Sequence, residues 1–242
     1  MITLEQAAVA PILSPTSLTI SSGEKVAVLG TSGAGKTTLL RLLCGWLSPT
    51  SGTVTAPPVG DFSYIPQDLD GSLNPKLKIR DIIFEPVAIA RGDLSAAEAQ
   101  LPSLLEQLSL PDDCAERKPS ELSGGQRQRV GIARALINNP QVIYADEALS
   151  ALDAQARALV IELFARSELT TILVSHNLAA AELLCDRCLI LDRGAIVEDL
   201  PTTKLWDLDH ASPARKLLIS AHQMLAEHLP DDPSDDFFEV VG

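Results

Sequence analysis

The hydrophobic positions of this chain alternate between short apolar runs typical of strands and longer segments with leucines at helical spacing. Strands are predicted at residues 2–9, 16–21, 25–29, 53–55, 62–65, 142–145, 171–174 and 188–191, with a hairpin strand at 195–198. Helices are predicted at residues 37–47 and 124–138. Residues 79–122 are also helical in pattern, with breaks expected at Pro86, Gly92, Pro102, Pro111 and Pro119.

This alternation predicts an α/β fold in which helices wrap a mainly parallel sheet, with a helical insert and a small antiparallel piece. We expect a single domain over residues 1–228. Its core would comprise residues 1–75 and 135–210, and its helical subdomain about 76–134. A C-terminal helix and an acidic tail would occupy residues 211–242.

Composition narrows the class of protein. Hydrophobic residues make up 46% of the 242 residues, which is enough for a sizeable core, and no apolar run is long enough to cross a membrane. The start of the chain has no signal-like segment, so we expect a cytosolic protein. The formal net charge of −13 disfavours nucleic acid as a partner. Cys185 and Cys188 form a CxxC pair, but no second pair exists to complete a metal site, and we expect both thiols to be structural.

The first candidate for chemistry is a glycine-rich loop between a predicted strand and a predicted helix. Gly30-x4-Gly35-Lys36-Thr37 is a Walker A motif, whose backbone N–H groups surround phosphates. Lys36 would bind the β- and γ-phosphates, and the Thr37 hydroxyl would bind Mg²⁺. The predicted ATP-binding residues are Gly30, Thr31, Ser32, Gly33, Ala34, Gly35, Lys36, Thr37 and Thr38.

Polar residues at the ends of other predicted strands supply the remaining groups. Asp146, the acid of a Walker B motif at residues 142–147, is predicted to hold Mg²⁺. Glu147 is predicted to act as general base toward a water attacking the γ-phosphate. His176 follows another strand and would contact the γ-phosphate and that water. Gln67, after the strand at 62–65, would bind Mg²⁺ and the water and report on the nucleotide.

A second anion site is predicted at residues 122–126, LSGGQ, where Ser123 caps a helix N-terminus. With the Walker motifs, it makes the chain resemble the ATP-binding cassette (ABC) family of transporter ATPases, whose core is of the P-loop, RecA-like type. The resemblance identifies Gln67 as the Q-loop glutamine, residues 150–153 as the D-loop with Asp153, and His176 as the switch histidine. Its signature residues are Ser123, Gly124, Gly125 and Gln126.

In this family two cassettes dimerise head to tail, so each nucleotide lies between one subunit's Walker A motif and its neighbour's signature. The resemblance implies ATP and Mg²⁺ as ligands and a second ATPase subunit, identical or paralogous, as partner. Two transmembrane permeases and, indirectly, an extracytoplasmic binding protein would complete the system. The chain would then lie peripherally on the cytoplasmic face of the inner membrane.

A narrower resemblance is to the ATPase subunits of peptide and nickel importers. Residues 68–87, DLDGSLNPKLKIRDIIFEPV, carry it, together with ADEALSALD and SPARKLL. It implies uptake of a peptide, nickel or a metal chelate, and it places residues 68–90 near the groove that receives a permease helix. A soluble non-transport ABC ATPase, an exporter ATPase and a small-molecule P-loop kinase remain as alternatives.

One departure from the family concerns adenine. Family members usually stack the base on an aromatic ring upstream of Walker A, but residues 1–45 contain no Phe, Tyr or Trp. Adenine would therefore rest on an aliphatic side chain such as Val9, Ile12 or Leu13, or on a residue outside this segment, and we expect weaker or less base-selective binding.

Overall fold

The computed structural model describes residues 1–149, 152 and 154–228. Its strands are β1 (Ile2–Val9), β2 (Leu13–Ile20), β3 (Lys25–Leu29), β4 (Ser51–Thr55), β5 (Phe62–Ile65), β6 (Val142–Asp146), β7 (Thr170–Val174), β8 (Arg187–Asp192) and β9 (Ala195–Pro201). Its α-helices are α1 (Lys36–Leu43), α2 (Ile79–Ile89), α3 (Leu94–Gln107), α4 (Gly124–Leu136), α5 (Ala154–Ala165), α6 (Leu178–Leu184) and α7 (Pro213–His228). No helix in these described ranges is both long enough and apolar enough to span a bilayer.

The strands of the described chain form two sheets. The larger has the order β5-β6-β7-β3-β8-β9, and all its neighbours are parallel except the β8–β9 hairpin. The smaller is antiparallel, with the order β2-β1-β4. The α/β prediction with a mainly parallel sheet and a small antiparallel part is confirmed.

Both faces of the larger sheet are buried along its four central strands, as expected for parallel strands covered by other elements. Along β3, Val26 and Val28 face a core shared with the antiparallel sheet and α1. Ala27 and Leu29 face the opposite core, which is shared with the other helices. The two-residue alternation of a strand therefore divides one apolar run between two cores.

Helix α1 ends earlier than predicted. Gly45 adopts a φ of +74°, its N–H donates to Leu42 O, and the N–H of Trp46 donates to Arg41 O. These two hydrogen bonds form a Schellman motif, which stops the helix while satisfying its last carbonyls. The leucine spacing continues past this point, so the periodicity alone predicted a helix longer than the one observed.

The predicted breaks at Pro86 and Pro102 were wrong, because α2 and α3 continue through these residues. Each proline lacks an N–H and so removes one helical hydrogen bond. In α2 the face formed by Ile79, Ile82 and Ile83 is buried, and its packing outweighs the loss.

The helix α4 packs against α2 and against the segment that follows β5. A β-carbon added at Gly131 would lie 2.7 Å from Leu69 Cδ2, so the helix backbone packs directly on the Leu69 side chain there. Because α4 runs to Leu136, it crosses the boundary predicted at residue 134. The division into a core and a helical subdomain stays a prediction.

Candidate functional site

The order of the strands brings the predicted chemical groups to one edge of the sheet. Strand β7 lies between β6 and β3, and all three are parallel, so their carboxyl ends are adjacent. The Walker A loop follows β3, Asp146 ends β6, and His176 follows β7. Crevices at such strand ends are where α/β proteins bind ligands.

The loop after β3 closes tightly around the amine of Lys36. Lys36 Nζ donates to Gly30 O at 2.9 Å and to Thr31 O at 3.0 Å. An ammonium carries three N–H groups, so it can also bind a phosphate oxygen. Burial lowers the pKa of Lys36, while Glu147 and Asp146 act in the opposite direction.

Two glycines of the loop are required by its geometry. A β-carbon at Gly30 would lie 2.4 Å from Leu191 O, so a side chain there would displace β8. Gly35, the N-cap of α1, has a φ of +103°, which L-residues with side chains rarely adopt. The helix thus begins with its N–H groups directed toward the phosphate site.

Asp146 is held through both carboxylate oxygens. Its Oδ1 accepts from Thr37 Oγ1 at 3.3 Å, and its Oδ2 accepts from the Tyr64 hydroxyl at 2.8 Å. Burial, and then the hydrogen bond to Asp146, raise the pKa of Tyr64, which keeps the phenol protonated as a donor.

The oxygen atoms available as metal ligands at this position fit Mg²⁺. Magnesium binds through one or two carboxylates, hydroxyls and substrate phosphates rather than in a dedicated protein cage. The adjacent Thr37 and Asp146 supply a hydroxyl and a carboxylate oxygen. No cluster of three His, Cys, Asp or Glu suited to a metal occurs in the described part of the chain.

Glu147 and His176 contact each other beside this carboxylate. His176 Nε2 lies 2.6 Å from Glu147 Oε1, a distance at which an imidazole N–H donates to a carboxylate. Glu147 has a φ of +54°, and its N–H donates to Val174 O on β7, which orients the residue at the strand ends. Such a positive φ is uncommon for a residue with a side chain and is found at functional positions.

The structure places Gln67 two residues after β5, with an exposed side chain. Strand β5 is parallel to its neighbour β6, so Gln67 follows β5 at the same edge of the sheet where Asp146 ends β6. Its role toward Mg²⁺ and water stays a prediction.

The signature segment begins α4 as a capping box. Gln126 N donates to Ser123 Oγ at 3.3 Å, and Ser123 N donates to Gln126 Oε1 at 2.9 Å. Ser123 and Gly124 are exposed at the positive end of the helix. The Ser123 hydroxyl can therefore donate outward to an anion while its oxygen accepts within the helix.

The signature helix is tied to the segment that follows Gln67. Arg127 Nε and Nη2 donate to the two carboxylate oxygens of Asp70, at 2.5 and 2.8 Å. Arg134 donates to the carbonyl and the hydroxyl of Ser72, at 2.9 and 2.7 Å. These contacts join the first and the last turns of α4 to residues 70–72.

Of the three candidate adenine supports, Val9 and Leu13 are buried, whereas Ile12 is 49% exposed. A β-carbon added at Gly35 would lie 3.7 Å from Ile12 Cγ2, so Ile12 borders the Walker A loop. Of these three residues, Ile12 alone is exposed, and its contact with adenine stays a prediction. The D-loop residue Asp153, with residues 150 and 151, lies outside the described residues.

Sequence reasoning missed Tyr64. A usable signal exists, because Tyr64 pairs with Tyr144 and Asp146 follows two residues later on the same face of the sheet. That inference requires knowing that β5 and β6 are neighbours, which the sequence pattern alone does not establish.

The comparisons with known proteins agree with this geometry. The profile of the ABC transporter family matches residues 13–150. The nickel import ATP-binding protein NikE of Brucella suis biovar 1 is 38% identical over 229 residues, covering 87% of this chain and 85% of that protein. The methionine import ATP-binding protein MetN 1 of Pseudomonas putida is 35% identical over 250 residues, covering 96% of this chain and 73% of that protein.

A similar solved structure is the dimeric ATP-binding cassette MJ0796 in a post-hydrolysis state, bound to ADP and Pi. It has a TM-score of 0.72 and 28% sequence identity, covering 84% of this chain and 99% of that chain. The profile match, the identities and the Walker A, Walker B and signature segments agree, and the chain belongs to the ABC transporter family as an ATP-hydrolysing cassette.

Proposed function

We propose that this chain is the ATP-hydrolysing subunit of an importer, which drives uptake by ATP-dependent pairing of two cassettes. The observation that carries the catalytic part is the contact between Glu147 and His176. It lies beside the Asp146 carboxylate, which accepts a hydrogen bond from the Thr37 hydroxyl. Import is supported by relatives at 35–38% identity named as import ATP-binding proteins. The cargo proposed is nickel, a metal chelate or a peptide, and the methionine relative adds an amino acid to these classes.

In the proposed reaction, Glu147 accepts the proton of a water that attacks the γ-phosphate. His176 donates to Glu147 and orients it, and it would also contact the γ-phosphate. Lys36 neutralises charge on the β- and γ-phosphate oxygens. Mg²⁺, when held by Thr37, Asp146 and Gln67, would neutralise further charge on those oxygens.

The second half of the site would come from a partner cassette. Ser123 and the first N–H groups of α4 would meet the γ-phosphate bound to the partner's Walker A loop, where the helix dipole favours the negative charge. The dimeric MJ0796 cassette with ADP and Pi supports this arrangement. Asp153 would contribute at the same interface.

The permeases are proposed to dock at a cleft of about 240 Å³ beside this site, which we call the aromatic cleft. It is lined by Trp46, Val59, Gly60, Phe62, Ser63, Tyr64, Pro86, Arg134 and Ala135. Trp46 is 54% exposed and Val59 is 93% exposed, so the rim presents apolar surface of the kind that partners cover. The occupant we assign is a cytoplasmic permease helix, which would keep the chain peripheral to the cytoplasmic face of the membrane.

The substitution Glu147→Gln tests the reaction and the pairing together. The amide still fits the site but cannot accept the proton, so ATP should bind while hydrolysis falls by at least about a hundredfold. With ATP and Mg²⁺ the variant should elute as a dimer, measured by light scattering during size-exclusion chromatography. Near-normal turnover would exclude Glu147 as the base.

The matched control is Glu147→Gln combined with Ser123→Arg, which places a bulky side chain against the partner's nucleotide. This double variant should bind ATP but stay monomeric. If Glu147→Gln stays monomeric alone but pairs with a paralogous cassette copurified from membranes, the partner is the paralogue. Monomers in both experiments would contradict the shared site.

A further inference from the structure

The carboxylate of Asp146 has a hydrogen-bond donor that neither the Walker motifs nor the signature includes. The Tyr64 hydroxyl donates to Asp146 Oδ2 at 2.8 Å, while the opposite oxygen, Oδ1, lies 3.3 Å from the Thr37 hydroxyl. We propose that Tyr64 is a positioning residue, which fixes the Asp146 carboxylate so that Oδ1 faces the divalent metal. This inference rests on the proposed ATPase function and assigns Tyr64 a part in it.

The position of the Tyr64 hydroxyl is set by backbone pairing. β5 and β6 are parallel, Tyr64 is in register with Tyr144, and Asp146 lies two residues further along the same face. The ring of Tyr64 packs on Trp46, with ring centroids 4.7 Å apart. A phenol has only two side-chain torsions, and here the strand and a neighbouring ring restrict both.

A donor on Oδ2 matters because a carboxylate can rotate about its last torsion. With Oδ2 held by Tyr64, rotation is restricted, and Oδ1 stays directed toward Thr37, the other predicted magnesium ligand. Hydrogen bonds to the far side of a metal ligand orient the ligand, and their loss weakens metal binding. Tyr64 acts through Asp146 and needs no contact with ATP.

The test compares Tyr64→Phe with Tyr144→Phe in the full chain. Both changes remove one phenol hydroxyl from neighbouring strands. The Tyr144 hydroxyl, however, donates to Leu43 O at 2.9 Å rather than to Asp146. The probe is Mn²⁺ with ADP, and its binding is measured by electron paramagnetic resonance, independently of hydrolysis.

Tyr64→Phe should raise the dissociation constant of Mn²⁺ from the ADP complex by about tenfold, the low end for loss of such an orienting contact. ADP affinity without metal should change less than about twofold. Tyr144→Phe should leave the Mn²⁺ constant at the wild-type value. These three results together support the positioning role.

An unchanged Mn²⁺ constant in Tyr64→Phe, with normal binding by the wild type, would overturn the inference and leave the proposed ATPase function standing. An equal loss in Tyr144→Phe would also overturn it, because the effect would then come from loosened strands. A wild-type chain that binds neither ADP nor Mn²⁺–ADP would overturn the proposed function together with this inference.

Discussion

At the scale of the residue, Ile12 is the proposed contact for the adenine base. It is the exposed member of the three aliphatic candidates, and it borders Gly35 at the start of α1. An aliphatic side chain offers apolar contact but no ring on which a base can stack. The site should therefore discriminate weakly between ATP and GTP.

Ile12→Tyr should restore stacking and tighten ATP binding by about fivefold, since stacking of a base on an aromatic side chain contributes about 1–3 kcal/mol. Isothermal titration calorimetry with ATP measures the change, and Ile12→Ala is the matched control, which should bind no better than wild type. Equal affinities in all three chains would place adenine elsewhere.

At the scale of the element, side chains attach α4 to the segment after Gln67. The paired hydrogen bonds from Arg127 hold the pKa of Asp70 below its ordinary value of 3.8, and the charge of Arg127 acts in the same direction. The pair is partly exposed, so solvent screening keeps its contribution to stability to about 1 kcal/mol or less. The Arg127–Asp70 pair matters mainly for position, because it joins the signature helix to the segment that follows β5.

Asp70→Asn should lower the free energy of unfolding by about 0.5–1 kcal/mol at pH 7. Because the pKa of Asp70 is depressed in the folded state, this stabilisation is present above the unfolded pKa near 3.8 and is lost as pH falls through the folded pKa. Urea unfolding between pH 3 and 7 measures the difference between wild type and variant.

Glu106→Gln, on the exposed side of α3, is the control for removing one carboxylate. It should show no such pH-dependent difference. A deficit in Asp70→Asn that persisted unchanged through the acid range would exclude the ion pair as its cause.

Most elements could be predicted from periodicity, because each buried strand is a short apolar run bounded by loop residues. The start of α4 was also predicted correctly, whereas the end of α1 and the continuity of α2 and α3 through proline were not. Pro86 sits inside α2 because tertiary packing compensates for its missing hydrogen bond, and α1 stops at a glycine whose φ the leucine pattern does not report. The Walker motifs place Lys36 and Asp146 by local sequence alone, whereas Tyr64 and Asp70 depend on which strands and helices become neighbours.

At the scale of the whole molecule, the C-terminal helix is joined to the hairpin of the sheet. Arg215, buried near the start of α7, donates to Lys204 O at 2.6 Å, and its Nε lies 3.1 Å from Glu198 Oε2 on β9. The SPARKLL segment thus contributes an internal ion pair. Burial also raises the pKa of the Cys188 thiol to about 12, which agrees with a structural CxxC pair.

The proposed permease contact at the aromatic cleft also involves the whole molecule. Val59→Asp adds a charge to the aromatic cleft at a residue that is 93% exposed, so folding and ATP hydrolysis by the isolated cassette should stay within about twofold of wild type. Recovery of permeases with the tagged chain from membranes should fall by at least about tenfold, because a carboxylate would be desolvated against an apolar helix.

Leu217→Asp is the matched control, since Leu217 is an exposed leucine on α7, away from the residues that line the cleft. It should recover permeases normally. If Val59→Asp recovered permeases as well as wild type does, the permease contact would have to lie on another face of the chain.

The packing of Trp46 on Tyr64 has a consequence for how a neighbour could communicate with the catalytic edge. The half-exposed indole lines the cleft, its ring packs at a tilt on the phenol, and that phenol donates a hydrogen bond to Asp146. Any helix resting on the indole would be separated from the Asp146 carboxylate by one ring contact and one hydrogen bond. A movement of that helix would then reach the carboxylate through two side chains, Trp46 and Tyr64.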